Sequence, residues 1–290
     1  MTESGAQGGP TTLRIILGGH LRRMRVAAGI SRSDAGWEIR SSESKISRME
    51  LGRIGLKERD VGDLLKLYGL DDDEERARLL ALAAEANNPG WWHRYGDVLP
   101  SWFHAYIDLE AAAQLIRLYD LQLVPGLLQT REYTRAVVQL GRGTVPTEEV
   151  ERRITLRLKR QEVLTRPDPV RLWAVVDEAA LRRPVGGVSC IIEQLNYLIE
   201  MSELSNVTLQ VAPFSLGGHS VQAGAFTILR FPEEDLPDKV YIEHLSSALY
   251  LDKPEDLDQY TAAMEALCVA APTPSKTRDI LTNIRKDFER

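Results

Sequence analysis

The stretch from Ser31 to Arg53, SRSDAGWEIRSSESKISRMELGR, constrains the fold more than any other part of the chain. It predicts two short helices joined by a tight turn at Arg40-Ser41. Ser31 and Ser42 stand where a side-chain oxygen accepts a hydrogen bond from the first turn of each helix. The stretch is therefore typical of a helix-turn-helix.

The second of these helices has two chemically different faces. Ile46 and Met49 are three residues apart and predict an inward apolar face. The other face carries short polar or basic side chains: Glu43, Ser44, Lys45, Ser47 and Arg48. Such a face has the chemistry to contact phosphates and base edges, and a helix-turn-helix places its second helix in the major groove. Double-stranded DNA is therefore the expected partner.

Three further amphipathic helices are predicted around the motif. They cover Leu17 to Gly29, Lys57 to Tyr68 and Asp71 to Asn87. Gly29 and Gly69 follow the apolar patterns of the first two, as helix-stopping glycines do. Five short helices with short joints predict one all-α domain over residues 13–88, after a disordered arm at 1–12.

Residues 13 to about 87 resemble the Xre/Cro/C1 family of helix-turn-helix repressors, through LRRMRVAAGIS and SESKISRMELGR. The resemblance implies that Arg25 pairs with Glu50 and that the DNA contacts surround the second helix of the motif. We expect phosphate contacts from Arg22, Ser31, Ser47 and Arg53. We expect base contacts from Arg32, Glu43, Ser44 and Arg48, with Arg40, Ser42 and Lys45 completing the DNA-binding set.

The sequence departs from the family pattern at two positions. Ala35 stands where Leu is usual, and Arg40 stands where Gly is usual in the turn. A residue other than glycine must either accept or avoid a positive φ there.

Charge is unevenly distributed along the chain. The whole chain has a net charge of −6, but residues 13–59 contain eleven Lys/Arg and five acidic residues, so that segment is +6 and the remainder −12. A local basic surface favours phosphate binding. The alternative is an ordinary solvated face.

The second half predicts an α+β domain over residues 89–271, followed by a tail helix at 272–290. Four runs read as strands: RLWAVVDE, NVTLQVAPF, AFTILRF and VYIEHL. A helix is predicted from Tyr106 to Tyr119, and another from Ile191 to Leu204. The expected fold is thus multidomain, with an all-α domain of five helices before an α+β domain.

This half also resembles the uncharacterised C-terminal domain of a family of Xre-type bacterial regulators. The ordered motifs are PGLLQT, RLKRQ, VVDEAALRRPVG, VTLQVAPF and GAFTILRF. The resemblance implies a domain without established enzymatic activity. It also implies a small acidic partner protein, in an antitoxin-like pairing.

Two apolar features lead us to expect a homodimer held mainly by the second half. The aromatic cluster from Trp91 to Tyr106 is either core or a partner surface. The last helix before the tail adds Leu257, Tyr260, Met264 and Leu267. A dimer would read a palindromic operator.

Catalysis is not expected. The residues that could form a catalytic cleft are Glu178, Glu243, His219 and His244, and HExxH, GxSxG, Walker A and CxxC spacings are absent from the sequence. No cofactor, metal or membrane partner is expected, and Cys190 and Cys268 are predicted to be buried reduced thiols of a cytoplasmic protein.

The function expected is a DNA-binding transcriptional regulator that responds to a small-molecule effector or a small acidic partner protein. An antitoxin-like role, neutralising that partner, is the alternative, with a hydrolase third.

Overall fold

The computed structural model describes residues 9–140, 145–221 and 224–290. Two compact units divide the chain. The helical unit contains residues 9–94, 103–112 and 231–237, and the sheet unit contains 95–102, 113–230 and 238–290. An all-α unit therefore precedes an α+β unit, as predicted, although the helical unit is discontinuous in sequence.

The helical unit contains the five predicted helices and a sixth. They are α1 (Pro10–Ala27), α2 (Arg32–Glu38), α3 (Glu43–Glu50), α4 (Glu58–Leu67), α5 (Asp73–Glu85) and α6 (Phe103–Ala112). The core shared by α1 to α5 includes Leu17, Leu21, Ile46, Met49, Leu64 and Leu65, all almost fully buried. Pro10 begins α1, where its fixed φ fits and its missing N–H is not needed. The disordered-arm prediction is therefore wrong for residues 10–12, and residues 1–8 lie outside the described part.

A carboxylate from α6 caps the first helix. Gly9 precedes α1 without a capping side chain, and the backbone N–H of Thr11 donates to Asp108 Oδ2 at 2.9 Å. The indole N–H of Trp92 donates to Asp108 Oδ1 at 2.6 Å. Burial raises the pKa of the Asp108 carboxyl, which the bonds from Trp92 and Thr11 partly offset. Helix α6, predicted as part of the C-terminal domain, thus completes the helical unit.

The sheet unit is built on one mixed six-stranded sheet in the order β3-β2-β1-β4-β5-β6. The strands are β1 (Leu115–Asp120), β2 (Arg171–Asp177), β3 (Val207–Ala212), β4 (Phe226–Arg230), β5 (Lys239–Glu243) and β6 (Ala248–Leu251). Strands β1, β2 and β3 are parallel, with Leu118 opposite Ala174, whereas β4, β5 and β6 are joined antiparallel. All four predicted strands are confirmed.

Among the residues that the structure describes, six α-helices accompany this sheet. They are α7 (Arg131–Gln139), α8 (Thr147–Gln161), α9 (Glu178–Arg182), α10 (Val188–Met201), α11 (Pro254–Ala270) and α12 (Pro274–Glu289). Helix α11 packs Met264 and Leu267 against a core that includes Val175, Phe226 and Val240. The predicted tail helix is α12, which packs on α10 and β3.

The predicted helix from Tyr106 to Tyr119 is wrong in its second half. Helix α6 ends at Ala112, and β1 begins at Leu115. The interior residues of β1 are all buried, because the strand lies between β2 and β4. A strand that is apolar on both faces also satisfies a helical spacing, so the local pattern was ambiguous. Strand β6 was not predicted at all.

The motifs that carry the resemblance of the second half of the chain stabilise its fold through side-chain hydrogen bonds. Gln129 of PGLLQT donates to the carbonyl of Val124 and accepts from Arg157 of RLKRQ. Gln161 donates to the carbonyls of Gly126 and Gln129, at 3.0 and 2.8 Å. Gln194 bonds the backbone of Leu128 and Thr130 on the same turn. These side chains satisfy backbone groups that would otherwise be buried without partners.

Most of the apolar residues expected to hold a dimer are packed inside the fold of the single chain. Met264 and Leu267 are fully buried, and Leu257 and Tyr260 pack against the same core. Of the aromatic cluster, Trp92, Tyr95 and Tyr106 are buried. The core interpretation of those residues is therefore confirmed, and they offer little surface for a contact between copies. The homodimer itself stays a prediction.

Candidate nucleic-acid interface

Both predicted helix caps are present in the motif. Ser31 Oγ accepts from the backbone N–H of Asp34 at 3.1 Å, and Ser42 Oγ accepts from that of Lys45 at 3.2 Å. Each cap satisfies a donor that the first helical turn leaves without a partner. The starts of α2 and α3 are thus set by local sequence.

Arg40 closes the turn between α2 and α3 in a left-handed conformation. Its φ is +53°, and among the described residues it is the one position other than glycine with a positive φ. The N–H groups of Arg40 and Ser41 bond the carbonyls of Trp37 and Gly36, which is a Schellman ending. Helices α1, α3 and α4 end the same way, but with Gly29, Gly52 and Gly69 at this position. The left-handed backbone conformation therefore costs Arg40 about 1 kcal/mol, which a glycine at the same position would avoid.

Two glycines allow close approach to the recognition helix, α3, and to the turn that precedes it. A Cβ on Gly18 of α1 would lie 2.5 Å from the carbonyl oxygen of Met49, and one on Gly36 of α2 would lie 2.8 Å from that of Ser41. Both distances are too short for a real Cβ, and the neighbours are backbone atoms. Glycine is therefore required at both positions.

Glu50, the last residue of α3, is buried and binds two arginines. Arg25 Nε lies 2.5 Å from Oε1, and Arg32 Nε lies 3.1 Å from Oε2. Arg25 also donates to the carbonyl of Ile30 at 2.7 Å. The hydrogen bond to Glu50 raises the pKa of the Arg25 guanidinium. The predicted Arg25–Glu50 pair is confirmed, and Arg32 is held beside it with a half-buried side chain.

A second buried carboxylate, Asp60 of α4, binds the first turn of the recognition helix. Lys45 Nζ lies 2.6 Å from Oδ2, and Arg59 Nη2 lies 3.2 Å from Oδ1. Burial raises the pKa of the Asp60 carboxyl, but the hydrogen bonds and charges of Lys45 and Arg59 outweigh it and leave the pKa below its ordinary value. Lys45 therefore already has a partner within the protein.

The remaining predicted contact residues are open to solvent to different degrees. Ser47 is half-buried, and the others are exposed: Arg22, Ser31, Arg40, Ser42, Glu43, Ser44, Arg48 and Arg53. Ile46 and Met49 are buried, as predicted for the inward face. The structure thus places an exposed polar face on α3 above a buried apolar one, while each residue's contact with DNA stays a prediction.

The structure separates Trp37 from its neighbours Ala35 and Ile39. Ala35 and Ile39 are buried, whereas Trp37 is 86% exposed. With Glu38, Arg40 and Ser41 it lines an open cavity of about 520 Å³. The signal was available, because Ala35 and Ile39 are four residues apart and Trp37 falls on another face of the helix.

The side chains considered for a catalytic cleft have separate partners. Glu178 accepts from the backbone N–H of Phe214 at 2.8 Å, and His219 Nε2 lies 3.1 Å from the hydroxyl of Tyr119. Glu243 accepts from Tyr241, and His244 is exposed in the turn before β6.

Other sequence expectations concern thiols, metals and membranes. Cys190 and Cys268 are free and only partly buried, and burial raises the pKa of both thiols. Within the described residues, no group of His, Cys, Asp and Glu is arranged to hold a metal ion. None of the described helices is long and apolar enough to cross a membrane.

Two domain families match the chain, one within the helical unit and one that begins at α6 and extends through most of the sheet unit. Residues 16–79 match a helix-turn-helix domain, and residues 103–283 match a domain of unknown function (DUF5753). The second match covers more than half of the chain, so the protein belongs to the DUF5753 family. The class defined by fold and site is a helix-turn-helix regulator with a DUF5753 domain. No curated protein and no solved structure matches the chain.

Proposed function

We propose that the protein is a sequence-specific transcriptional regulator that binds double-stranded DNA through the exposed face of α3. The observation that supports this proposal best is that one face of α3 is buried in the core while the other is exposed to solvent. Ile46 and Met49 fix it in the core, while Glu43, Ser44 and Arg48 remain exposed. The helix-turn-helix match supports the same reading. The Arg25–Glu50 pair favours an Xre-type member.

Base contacts are assigned to Arg32, Glu43, Ser44 and Arg48, and phosphate contacts to Arg22, Ser31, Ser47 and Arg53. Arg40 and Ser42 lie at the two ends of the turn that precedes α3. The Nε atom of Arg32 already contacts the Glu50 carboxylate. To contact a base, Arg32 must therefore either leave Glu50 or bind the carboxylate and the base together.

We infer that the regulator acts as a homodimer on a palindromic operator. One helix-turn-helix reads too few base pairs to select a genomic site, whereas two copies one helical turn apart double the contacts. Among the described residues of the sheet unit, Leu245 in the turn between β5 and β6 and Leu249 in the edge strand β6 are exposed apolar residues. We assign the contact between copies to that edge.

We assign the sheet unit the role of responding to a small-molecule effector or a small acidic partner protein, without catalysis or a cofactor. The separate partners of Glu178, His219 and Glu243 support the absence of catalysis. A DNA-binding role places the protein in the cytoplasm.

The decisive experiment is to capture fragments of sheared genomic DNA on the full-length protein and sequence them. Enrichment of one inverted-repeat sequence is the expected result. A matched variant with Glu43, Ser44 and Arg48 changed to alanine should lose that enrichment. Equal recovery of all fragments by the parent protein would contradict sequence-specific binding.

An antitoxin-like role, in which neutralising a small acidic partner is the main function, remains the second candidate. The resemblance over the second half favours it, through the motif order from PGLLQT to GAFTILRF. The same capture experiment separates the two, because an antitoxin without operator binding would enrich no sequence.

A further inference from the structure

Lys45 has the charge and position of a phosphate contact, but its surroundings assign it another role. Its Nζ atom contacts Asp60 Oδ2 at 2.6 Å, and only 2% of the Asp60 side chain is exposed. Lys45 itself is 26% exposed. The ammonium group therefore points into the joint between α3 and α4.

Leaving that joint would be unfavourable for Lys45. Asp60 is a buried carboxylate, and a buried charge is tolerated only while a partner compensates it. Arg59 contacts the other oxygen at 3.2 Å, but its side chain is 77% exposed, so it compensates less well. A DNA phosphate would thus have to compete with the closer of the two partners of Asp60.

The position of Lys45 on α3 explains what the contact controls. Lys45 follows Ser44 and precedes Arg48 by three residues, so the three lie within little more than one turn of helix. Asp60 lies in the first turn of α4, which packs in the same core as α3. A fixed contact from Lys45 to α4 therefore sets the rotation of α3 and the direction in which Ser44 and Arg48 point.

We propose that Lys45 and Asp60 are positioning residues for base reading, and that Lys45 makes no phosphate contact. This inference rests on the proposed function and deepens it. It assigns sequence discrimination to an internal ion pair as well as to the residues that face the bases.

The test measures how salt and sequence affect DNA binding by full-length variants. The probes are the most enriched fragment from the genomic capture and a scrambled fragment of equal length. Lys45→Met should lower the affinity ratio between the two at least tenfold. It should leave the slope of log affinity against log salt unchanged, because no phosphate contact is lost.

Two further variants complete the design. Arg53→Met is the matched control, since Arg53 is an exposed cation with no carboxylate partner in the described residues. It should reduce the magnitude of the salt slope by about 0.9 and weaken both fragments alike. Asp60→Asn keeps Lys45 and the side-chain size, and it should lower the affinity ratio as Lys45→Met does.

The possible results distinguish the positioning role of Lys45 and Asp60 from the proposed DNA-binding function. A salt slope reduced by Lys45→Met as much as by Arg53→Met, with the affinity ratio kept, would overturn the positioning role alone. A parent-like ratio for Asp60→Asn would overturn it as well, including in the case where Lys45→Met does not fold. A parent protein that binds both fragments equally contradicts the proposed function, and the positioning role with it.

Discussion

The guanidinium of Arg25 contacts both carboxylate oxygens of Glu50, with Nε 2.5 Å from Oε1 and Nη2 3.2 Å from Oε2. Both side chains are almost fully buried. This contact joins the end of α1 to the end of α3, beside the close approach at Gly18. The recognition helix is therefore anchored to α1 by charge and by backbone packing together.

Replacing Glu50 with Gln should destabilise the protein strongly. The variant leaves the buried Arg25 charge without its counter-ion, which costs about 3 kcal/mol. Urea unfolding followed by circular dichroism measures the change. The matched control is Glu43→Gln on the exposed face of the same helix, which should change the unfolding free energy little. An unchanged midpoint for Glu50→Gln would contradict a stabilising role of the pair.

Replacing Arg40 with Gly should stabilise the protein by about 1 kcal/mol. Glycine adopts the φ of +53° without the steric cost that Arg40 meets. Arg40→Ala removes the same guanidinium but keeps the Cβ, so it should give no such gain. Thermal melts of both variants decide between them. Equal melting temperatures for the two would show that the turn is not strained.

Arg48→Ala should cost about 1–3 kcal/mol of specific DNA binding and relax the preference at one base pair. Arg53→Ala should instead weaken all sequences alike. The measurement is a titration of the captured operator and of its single-base variants with each protein. Operator binding by Arg48→Ala as tight as that of the parent would show that Arg48 does not read a base.

Replacing Asp108 with Ala should destabilise the helical unit. The variant removes the acceptor for the backbone N–H of Thr11 and for the indole of Trp92, and a lost helix cap costs about 1 kcal/mol. Asp63→Ala, which removes an exposed carboxylate of α4, is the matched control. Chemical unfolding measures both, and equal effects of the two substitutions would contradict the capping role.

The homodimer should depend on the outer edge of the sheet. Leu249 of β6 is 47% exposed, and a lysine there would put a charge into the proposed contact. Sedimentation should give twice the 32.5 kDa chain mass for the parent and the single mass for Leu249→Lys. Val269→Lys, at another exposed apolar position on α11, should stay dimeric. A monomeric parent would contradict dimerisation, and a dimeric Leu249→Lys would contradict this edge as its site.

The features that sequence predicted best are local. The caps by Ser31 and Ser42 involve residues three apart, so a short pattern contains all the information. The Arg25–Glu50 pair spans 25 residues and became predictable only through the family resemblance.

The features that sequence missed depend on distant partners. Strand β1 pairs with β2 and β4, and the register joins Leu115 to Arg171 and Arg230. Asp108 caps a helix 97 residues earlier in the chain. The charge of Lys45 predicts a DNA contact, whereas its ion pair with the buried Asp60 depends on a residue of the next helix. In each case the deciding partner lies outside the window that a local pattern can cover.

The discontinuity of the helical unit has a consequence for synthesis. Its last segment is 231–237, where Asp235 contacts His20 and Arg23 of α1. On the ribosome, α1 emerges first, but its capping residue and this late segment follow only after long intervals. The half of the protein proposed to read DNA is therefore completed only after β1 to β4 have been translated. A nascent chain stalled before that point would carry the recognition helix without the contacts that complete its domain.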